Sequence, residues 1–500
     1  MNTYIKIESE DFVELSLSNY QNFEKQRYKN KFRKVIFFLL NEGLRQTLRK
    51  ILSVQSQRKI MSAQKVIACQ FVLNDSNNIR YVGIGRQLRK GKSKKFHPKL
   101  VFKICNKCKF NLSELKFDEG ASLKISSFLP VDECPFDNDL PSLMVSQNPR
   151  LELADVVFKE NHIWKPKKNI NKNSKQVFIY GFGSYSCTYV VKHFKNNINS
   201  VIDYNRDTLS SFNKAHKVSF FEDFRDSLSL YSKIEKPIAI ISTYHSSHFK
   251  ITKELFYANA NGKILIEKPL VVKFSDALEL ISLRKKGLWF DAGYNRRYID
   301  WNRYIKSILI NTRSPKIINM SIKEVLIPRS HWYYWPNQGT RVTGNLCHWI
   351  DLSYFWLKCK PCEMSLLSSN DSVSLSILFE DGSLVNIIAS DQGNNLRGVQ
   401  ERIEVRTEDK TIFIDDYKKM IIHNNGRAFI KRKLLRDKGH GQMYKEFLNA
   451  TKTGRKALYE NDDVFWVSYL VEKASQMLIN KGKYAKIDVD YEGENSNLFK

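Results

Sequence analysis

Residues 176–186 read QVFIYGFGSYS, and 20 positions beyond Gly183 the segment SVIDYN places a carboxylate at Asp203. The apolar run Val177-Phe178-Ile179-Tyr180 has the length and composition of a buried strand. It runs straight into Gly181-Phe182-Gly183-Ser184-Tyr185-Ser186. A second apolar pair, Val201-Ile202, ends on Asp203. Strand, glycine turn, room for a helix and a terminal acid are the layout of a dinucleotide-binding βαβ unit. Glycines let the backbone turn tightly and approach a pyrophosphate at a helix N-terminus, and the acid holds a ribose diol. Gly181, Gly183, Ser184, Tyr185 and Asp203 are therefore expected to bind the cofactor. Ser186 stands where such a turn has its third glycine, and serine is small enough for close helix packing. Asp203 favours NAD over NADP, since a carboxylate accepts from a 2′-hydroxyl and repels a 2′-phosphate. Arg206 is the counter-signal.

Around this unit lies a chain of 500 residues, too long for one ordinary domain. A hydrophobic content of 42% is ample for folded cores. No apolar run reaches the 18 or so residues of a membrane span. The opening MNTYIKIESEDF has acids where a signal peptide needs basic residues. Eight cysteines scattered over this length suit a reducing compartment, so a cytoplasmic protein is expected. The pairs Cys105/Cys108 and Cys359/Cys362 fall in different domains, which argues against a shared zinc, and no metal is expected.

The net charge is +29 and unevenly placed: between Lys25 and Lys109, 23 Lys and Arg face only Glu42 and Asp75. One reading is a solvated basic surface. The other is an anionic partner, including peripheral contact with an anionic membrane. Nucleic acid is disfavoured because no recognition motif accompanies the charge. Within this region Val35, Ile36, Leu39, Leu40, Leu44, Leu48, Ile51 and Leu52 fall at helical spacing, which reads as a packed surface helix with a basic polar face or as a helix lying on a membrane. VIACQFVL, IRYVGIG and LVFKICN look like strands, and Trp164–Lys175 (WKPKKNINKNSK) like a linker.

Three parts are therefore expected: an N-terminal mixed α/β domain over 1–170, a Rossmann domain with a parallel sheet over 174–296, and a C-terminal α+β domain over 297–500 with a large, mostly antiparallel sheet. PIAIISTYHSSH, GKILIEKPL and LWFDAGYNRRY continue the alternation of strand and helix that buries a parallel sheet on both faces. Beyond Tyr298, IINMSIKEVLI, VSLSILFED, SLVNIIASD, RIEVRTED and TIFIDDY alternate apolar and polar residues, as antiparallel strands with one buried face do.

ILIEKPL (Ile264–Leu270) and GNLCHWIDL (Gly344–Leu352), with GFGSYS upstream and AGYNRRY between, resemble the Gfo/Idh/MocA family of NAD(P)-dependent oxidoreductases. ERIEVRTEDKTIFIDDY and DKGHGQMYKEFLNATKTG look like its bi-domain branch, which carries an extra N-terminal domain. The resemblance implies a sugar, sugar-nucleotide or cyclitol substrate, an association of copies through the C-terminal sheet, and His348 as proton-transfer partner. It also puts His248 near the nicotinamide. Many members have an aspartate four residues before the histidine; Gly344 stands there here, followed by Asn345.

Lys268, within Glu267-Lys268-Pro269, ends an apolar strand and so projects from the carboxyl edge of the sheet, where open α/β sheets bind ligands. An ammonium there can stabilise an alkoxide or polarise a carbonyl. Ser242 and Thr243 end the strand IAIIS and are expected to face the cofactor. Arg297 and Arg341 could hold an anionic substrate group, as could Lys268, with Asn345 and His348 beside them. The aromatic stretch His331–Pro336 (HWYYWP) reads as core or interface. The reading is an NAD-dependent oxidoreductase on a sugar-type carbon, in surface polysaccharide synthesis. The alternative, suggested by Gly344 and the basic N-terminal region, is a non-catalytic cofactor-binding regulator or scaffold on the same fold.

Overall fold

The computed structural model describes residues 175–491 apart from 184, 195, 204–217, 222–223, 326–337, 370–371, 394–397 and 490. It also describes helical residues 35–51 apart from 37 and 49, and the backbone of five strands between residues 3 and 153. Ser184, Arg206, the 331–336 aromatic stretch, Cys105 and Cys108 lie outside the described residues.

The chain divides into two compact units. One comprises residues 1–29, 55–170 and 327–337; the other comprises 30–54, 171–326 and 338–500. In the first, the described strands β1 (Thr3–Glu8), β2 (Ala68–Asn74), β3 (Arg80–Leu88), β4 (Lys99–Ile104) and β5 (Arg150–Leu153) form an antiparallel sheet in the order β2-β3-β4-β1-β5.

The second unit holds both remaining sheets. β6 (Val177–Tyr180), β7 (Ile198–Ile202), β8 (Ser219–Phe221), β9 (Ile238–Ile241), β10 (Lys263–Ile266) and β11 (Trp289–Ala292) form a parallel sheet in the order β11-β10-β9-β6-β7-β8. β6 and β9 are buried at every position, because helices cover both faces. Phe178, Tyr180, Ile241 and Ile266 share one core with Leu255 and Leu280 of the helices His248–Ala258 and Phe274–Lys285. Val177, Ile179 and Leu265 share another with Val190, Met443 and Phe447. The last two lie on the helix His440–Thr453, so the C-terminal part of the chain closes one face of the dinucleotide sheet.

The third sheet runs β19-β18-β17-β16-β12-β15-β14-β13-β20, from β12 (Ile317–Lys323), β13 (Pro361–Ser369), β14 (Ser372–Phe379), β15 (Leu384–Ser390), β16 (Gln400–Arg406), β17 (Lys410–Asp415), β18 (Lys419–Asn424), β19 (Arg427–Arg432) and β20 (Tyr484–Lys486). Only the β12–β15 pairing is parallel. β14 buries every second residue, as its sequence alternation requires. On the other face Ser376 donates to Asn386, Asn386 to Asn319, and Asn319 to Glu404.

The helical stretch 35–51 corrects the expected 1–170 boundary, because it belongs to the second unit. It breaks at Gly43, whose φ of +78° only glycine adopts without strain. It docks by its polar residues. Asn41 and Thr47 are buried, and the Asn41 carbonyl accepts from the Arg436 backbone. The packed-helix reading has its apolar positions inward, whereas Leu40 is 64% and Leu44 59% exposed.

Arg297 is also corrected. It lies on the short helix Asn295–Tyr298 with its side chain buried. Its guanidinium donates to Asp351 at 2.7 Å and meets Asp463 at 3.0 Å, with the Tyr459 ring 4.4 Å from its centre. Saturated by two buried carboxylates, it ties elements together and has nothing left for a substrate anion. Removing one carboxylate leaves charge poorly compensated in the core. Asp351→Ala should therefore lower stability by about 3 kcal/mol or more in chemical denaturation. A loss within the range of an exposed ion pair, under about 1 kcal/mol, would show that the site is solvated.

Candidate active site

The glycine turn sits where β6 ends. Gly181 has φ +82°, and a Cβ there would fall 2.4 Å from the Ser242 carbonyl oxygen. Both facts demand glycine. At Gly183 a Cβ would meet open space, so the backbone is approachable from that side. Ser186 does more than fit: its Oγ donates to the Gly181 carbonyl at 2.6 Å and lies 2.7 Å from Ser242 Oγ. The substituted third glycine thus ties the turn to the end of β9. The first helical turn is opened into a π-turn over Ser186–Val190. Asp203 caps β7, and its carboxylate accepts from the Phe182 N–H at 2.6 Å. The acid and the turn that would hold a ribose and a pyrophosphate are therefore fixed to each other, an arrangement that fits a nicotinamide dinucleotide.

At the end of β10, Glu267 is buried and accepts from the Tyr185 hydroxyl at 2.9 Å and from the Tyr444 hydroxyl. Burial pushes its carboxyl up to about 7, against the pull of the two hydroxyls and Lys268. Gly293 lies so close that a Cβ would come within 2.6 Å of that carboxylate. Tyr185, expected at the cofactor, thus spends its hydroxyl on Glu267. Thr243 accepts from Ser247 Oγ at 2.7 Å. His248 lies against two of the residues expected at the cofactor. It is buried behind the Glu267–Pro269 turn, with Nδ1 2.8 Å from the Pro269 carbonyl and Nε2 3.3 Å from that of Thr243. Burial pushes its pKa down to about 4, so it is a neutral brace for the turn.

Lys268 reaches across to the helical segment Val342–Leu357. Its ammonium donates to the Gly344 carbonyl at 2.6 Å. Gly344 lies in the π-turn Val342–Leu346 that leads into the helix Cys347–Leu357, and His348 is the second residue of that helix. His348 is 8% exposed, and among the described residues no group accepts from or donates to its Nδ1. Burial drives its pKa well below the ordinary value, and Arg296, Lys268, His440 and Lys438 push the same way. It is therefore a neutral imidazole in a positive field.

Arg341 and Asn345 do not converge on this point. Arg341 pairs with the buried Glu324, and Asn345 lies beside the same carboxylate. The sequence reading gives no role to Tyr444, His440, Arg296, Lys438 or Glu401. Arg296 and Lys438 share Glu401 at 2.9 and 2.8 Å. Burial opposes charge on Glu401, yet the two cations hold its carboxyl well below the usual range. His440 stacks on the Tyr189 ring at 4.4 Å. The one signal in the sequence is the stretch DKGHGQMYKEF, in which Lys438, His440 and Tyr444 fall two and four residues apart.

The strand–glycine–helix turn and the acid at the end of β7 have the layout of an NAD-binding Rossmann domain. Residues 175–290 match the model of the Gfo/Idh/MocA oxidoreductase family with an NAD-binding Rossmann fold. Solved structures share the fold. An aldose–aldose oxidoreductase from Caulobacter crescentus, complexed with glycerol, is 15% identical with a TM-score of 0.54, over 63% of this chain and all of that one (100%). GenD2 from gentamicin A biosynthesis, in complex with NAD, is 16% identical with a TM-score of 0.53, over 65% of this chain and 99% of that one. UDP-N-acetylglucosamine 3-dehydrogenase GnnA from Acidithiobacillus ferrooxidans is 17% identical with a TM-score of 0.51, over 60% and 96%. No curated protein matches the chain. Among the described residues no helix is long and apolar enough to cross a membrane.

This geometry fixes a cofactor preference and a pH dependence. Titration of the protein with each dinucleotide should give tighter binding of NAD, and tighter NADP binding would overturn the role given to Asp203. The pH dependence comes from Glu267. Its folded-state pKa is raised, from 4.5 to about 7, so between those values the native state holds a proton that the unfolded chain has lost. Its contribution is complete below the unfolded value and lost as pH rises through about 7. Denaturation at pH 5, 6, 7 and 8 should show the wild type losing more stability than Glu267→Gln; parallel curves would contradict the raised pKa.

Proposed function

We propose that this chain transfers hydride between NAD and a carbon of a sugar, sugar nucleotide or cyclitol, with a sugar nucleotide of surface polysaccharide synthesis as the specific form. The observation that carries the reading is the Lys268 ammonium on the Gly344 carbonyl, one helical turn ahead of the neutral His348. Bound NAD, held by the Gly181–Gly183 turn, Asp203, Ser242 and Thr243, supplies the hydride acceptor or donor. Lys268 stabilises negative charge on the reacting oxygen. His348 takes the hydroxyl proton on oxidation and returns it on reduction. The named activities of the fold's solved relatives, on aldoses and on a UDP-sugar, support the substrate class.

Gly344 favours a second reading, a cofactor-binding regulator, because the acid common in the family is replaced by a main-chain oxygen. A panel of free sugars, cyclitols and UDP-sugars, followed by absorbance of the reduced cofactor, separates the two. Turnover is expected; tight NAD binding without turnover on any member would favour the regulator. Within the enzymatic reading, Lys268→Ala should lower turnover about 100-fold or more with NAD affinity nearly intact. Near-normal turnover would reduce Lys268 to a residue that braces the strand end.

A further inference from the structure

We infer that the helical stretch 35–51, which precedes the dinucleotide domain and lies outside the family match, is a working part of the active-site unit, and that Glu42 is a positioning residue for the loop from Arg436 to His440. The inference rests on the oxidoreductase reading for its kinetic consequence, not for its structural content. Arg436 joins the helix to the loop. Its side chain is 4% exposed. One guanidinium nitrogen meets Glu42 at 2.9 Å. The other meets Asp416 at 2.9 Å and donates to the Val399 carbonyl, also at 2.9 Å. Its backbone N–H donates to the Asn41 carbonyl at 2.5 Å. Glu42 is held in turn by Lys50 at 2.6 Å, and Lys418 donates to the Asn41 side chain at 2.9 Å. Two adjacent residues of one short helix thus clamp both the main chain and the side chain of Arg436.

Beyond Arg436 the chain enters the site. Lys438 donates to the Val399 carbonyl and to Glu401, the carboxylate it shares with Arg296. The Lys438 carbonyl accepts from Asn295 at 2.6 Å. Gly439 has φ +82°, and a Cβ there would fall 2.2 Å from the Asn295 carbonyl oxygen, so the loop presses against that residue with no slack. His440 then opens the helix that places Tyr444 on Glu267. Helix 35–51 therefore fixes one end of a five-residue span whose other end carries two of the groups around Lys268 and His348. A displacement of the order of 1 Å in such a support can cost about 100-fold in rate.

The test uses the full chain. Glu42→Gln keeps the shape of the side chain and removes its charge; Glu42→Asp keeps the charge. Amide hydrogen exchange is read for residues 436–444 against β6, and kcat and the KM values are read with whichever sugar turns over. In Glu42→Gln, exchange of 436–444 is expected to rise about 10-fold or more relative to β6. The kcat is expected to fall about 10- to 100-fold with NAD affinity nearly unchanged, and Glu42→Asp should restore much of both. Unchanged exchange and kcat in folded Glu42→Gln would overturn the inference, as would a loss of kcat that Glu42→Asp leaves unrelieved. If no sugar turns over even in the wild type, the enzymatic reading fails, and the exchange comparison still decides the positioning claim. Should Glu42→Gln not fold, Arg436→Lys keeps the charge but cannot span Glu42, Asp416 and the Val399 carbonyl at once; the same exchange response supports the inference and its absence overturns it.

Discussion

One turn of 3-10 helix, Asn295–Tyr298, organises the second unit. It begins two residues after β11, and its first three residues point in different directions. Asn295 holds the Lys438 carbonyl, Arg296 reaches Glu401 of β16, and Arg297 reaches Asp351 and Asp463 on two further helices. The parallel sheet is thus tied to the antiparallel sheet and its helical cover through buried, directional bonds. Buried charges of this kind add little stability over well-packed apolar groups, but a partner removed is costly, so they specify one arrangement of the parts. The position of His348 depends on that arrangement, because Asp351 lies one turn beyond it on the same helix.

The lysine's main-chain acceptor belongs to the same logic. A further carboxylate beside Lys268 would have to be desolvated together with Glu267. A carbonyl oxygen accepts the ammonium without adding a charge to a cleft in which Glu267 already titrates near neutrality. The Gly344 position also has its amide engaged with the Thr340 carbonyl at 2.9 Å, so both main-chain groups there have defined partners.

Where local pattern carries the information, the sequence is readable. The strand before Gly181, the alternation of β14 and β15, and the Ile264–Leu270 stretch all become what their residues imply. The departures share a cause. Arg297 and Arg341 are polar residues near functional motifs, and whether such a group faces a substrate or a buried partner depends on residues far away in sequence. Asp463 lies 166 positions from Arg297. Tyr444 is hidden for the converse reason: its partner Glu267 is 177 positions away, across the face of a sheet. The helix at 35–51 is legible as a helix, but its amphipathic pattern leaves open which side docks. Apolar spacing tells which residues share a face, not which face docks.

That reversed docking has a thermodynamic character of its own. An ordinary surface helix is held by apolar burial, which strengthens on warming from the cold and leaves a large heat-capacity signature when released. Here Asn41, Glu42 and Thr47 face the protein while Leu40 and Leu44 are more than half exposed. Detachment would uncover charged and polar surface, whose hydration lowers the heat capacity and offsets the usual rise. Such an attachment is governed by geometry and ionisation more than by hydrophobic area. It holds the loop at Arg436 with the stiffness of directional bonds and forgoes the tolerance that a greasy contact would give.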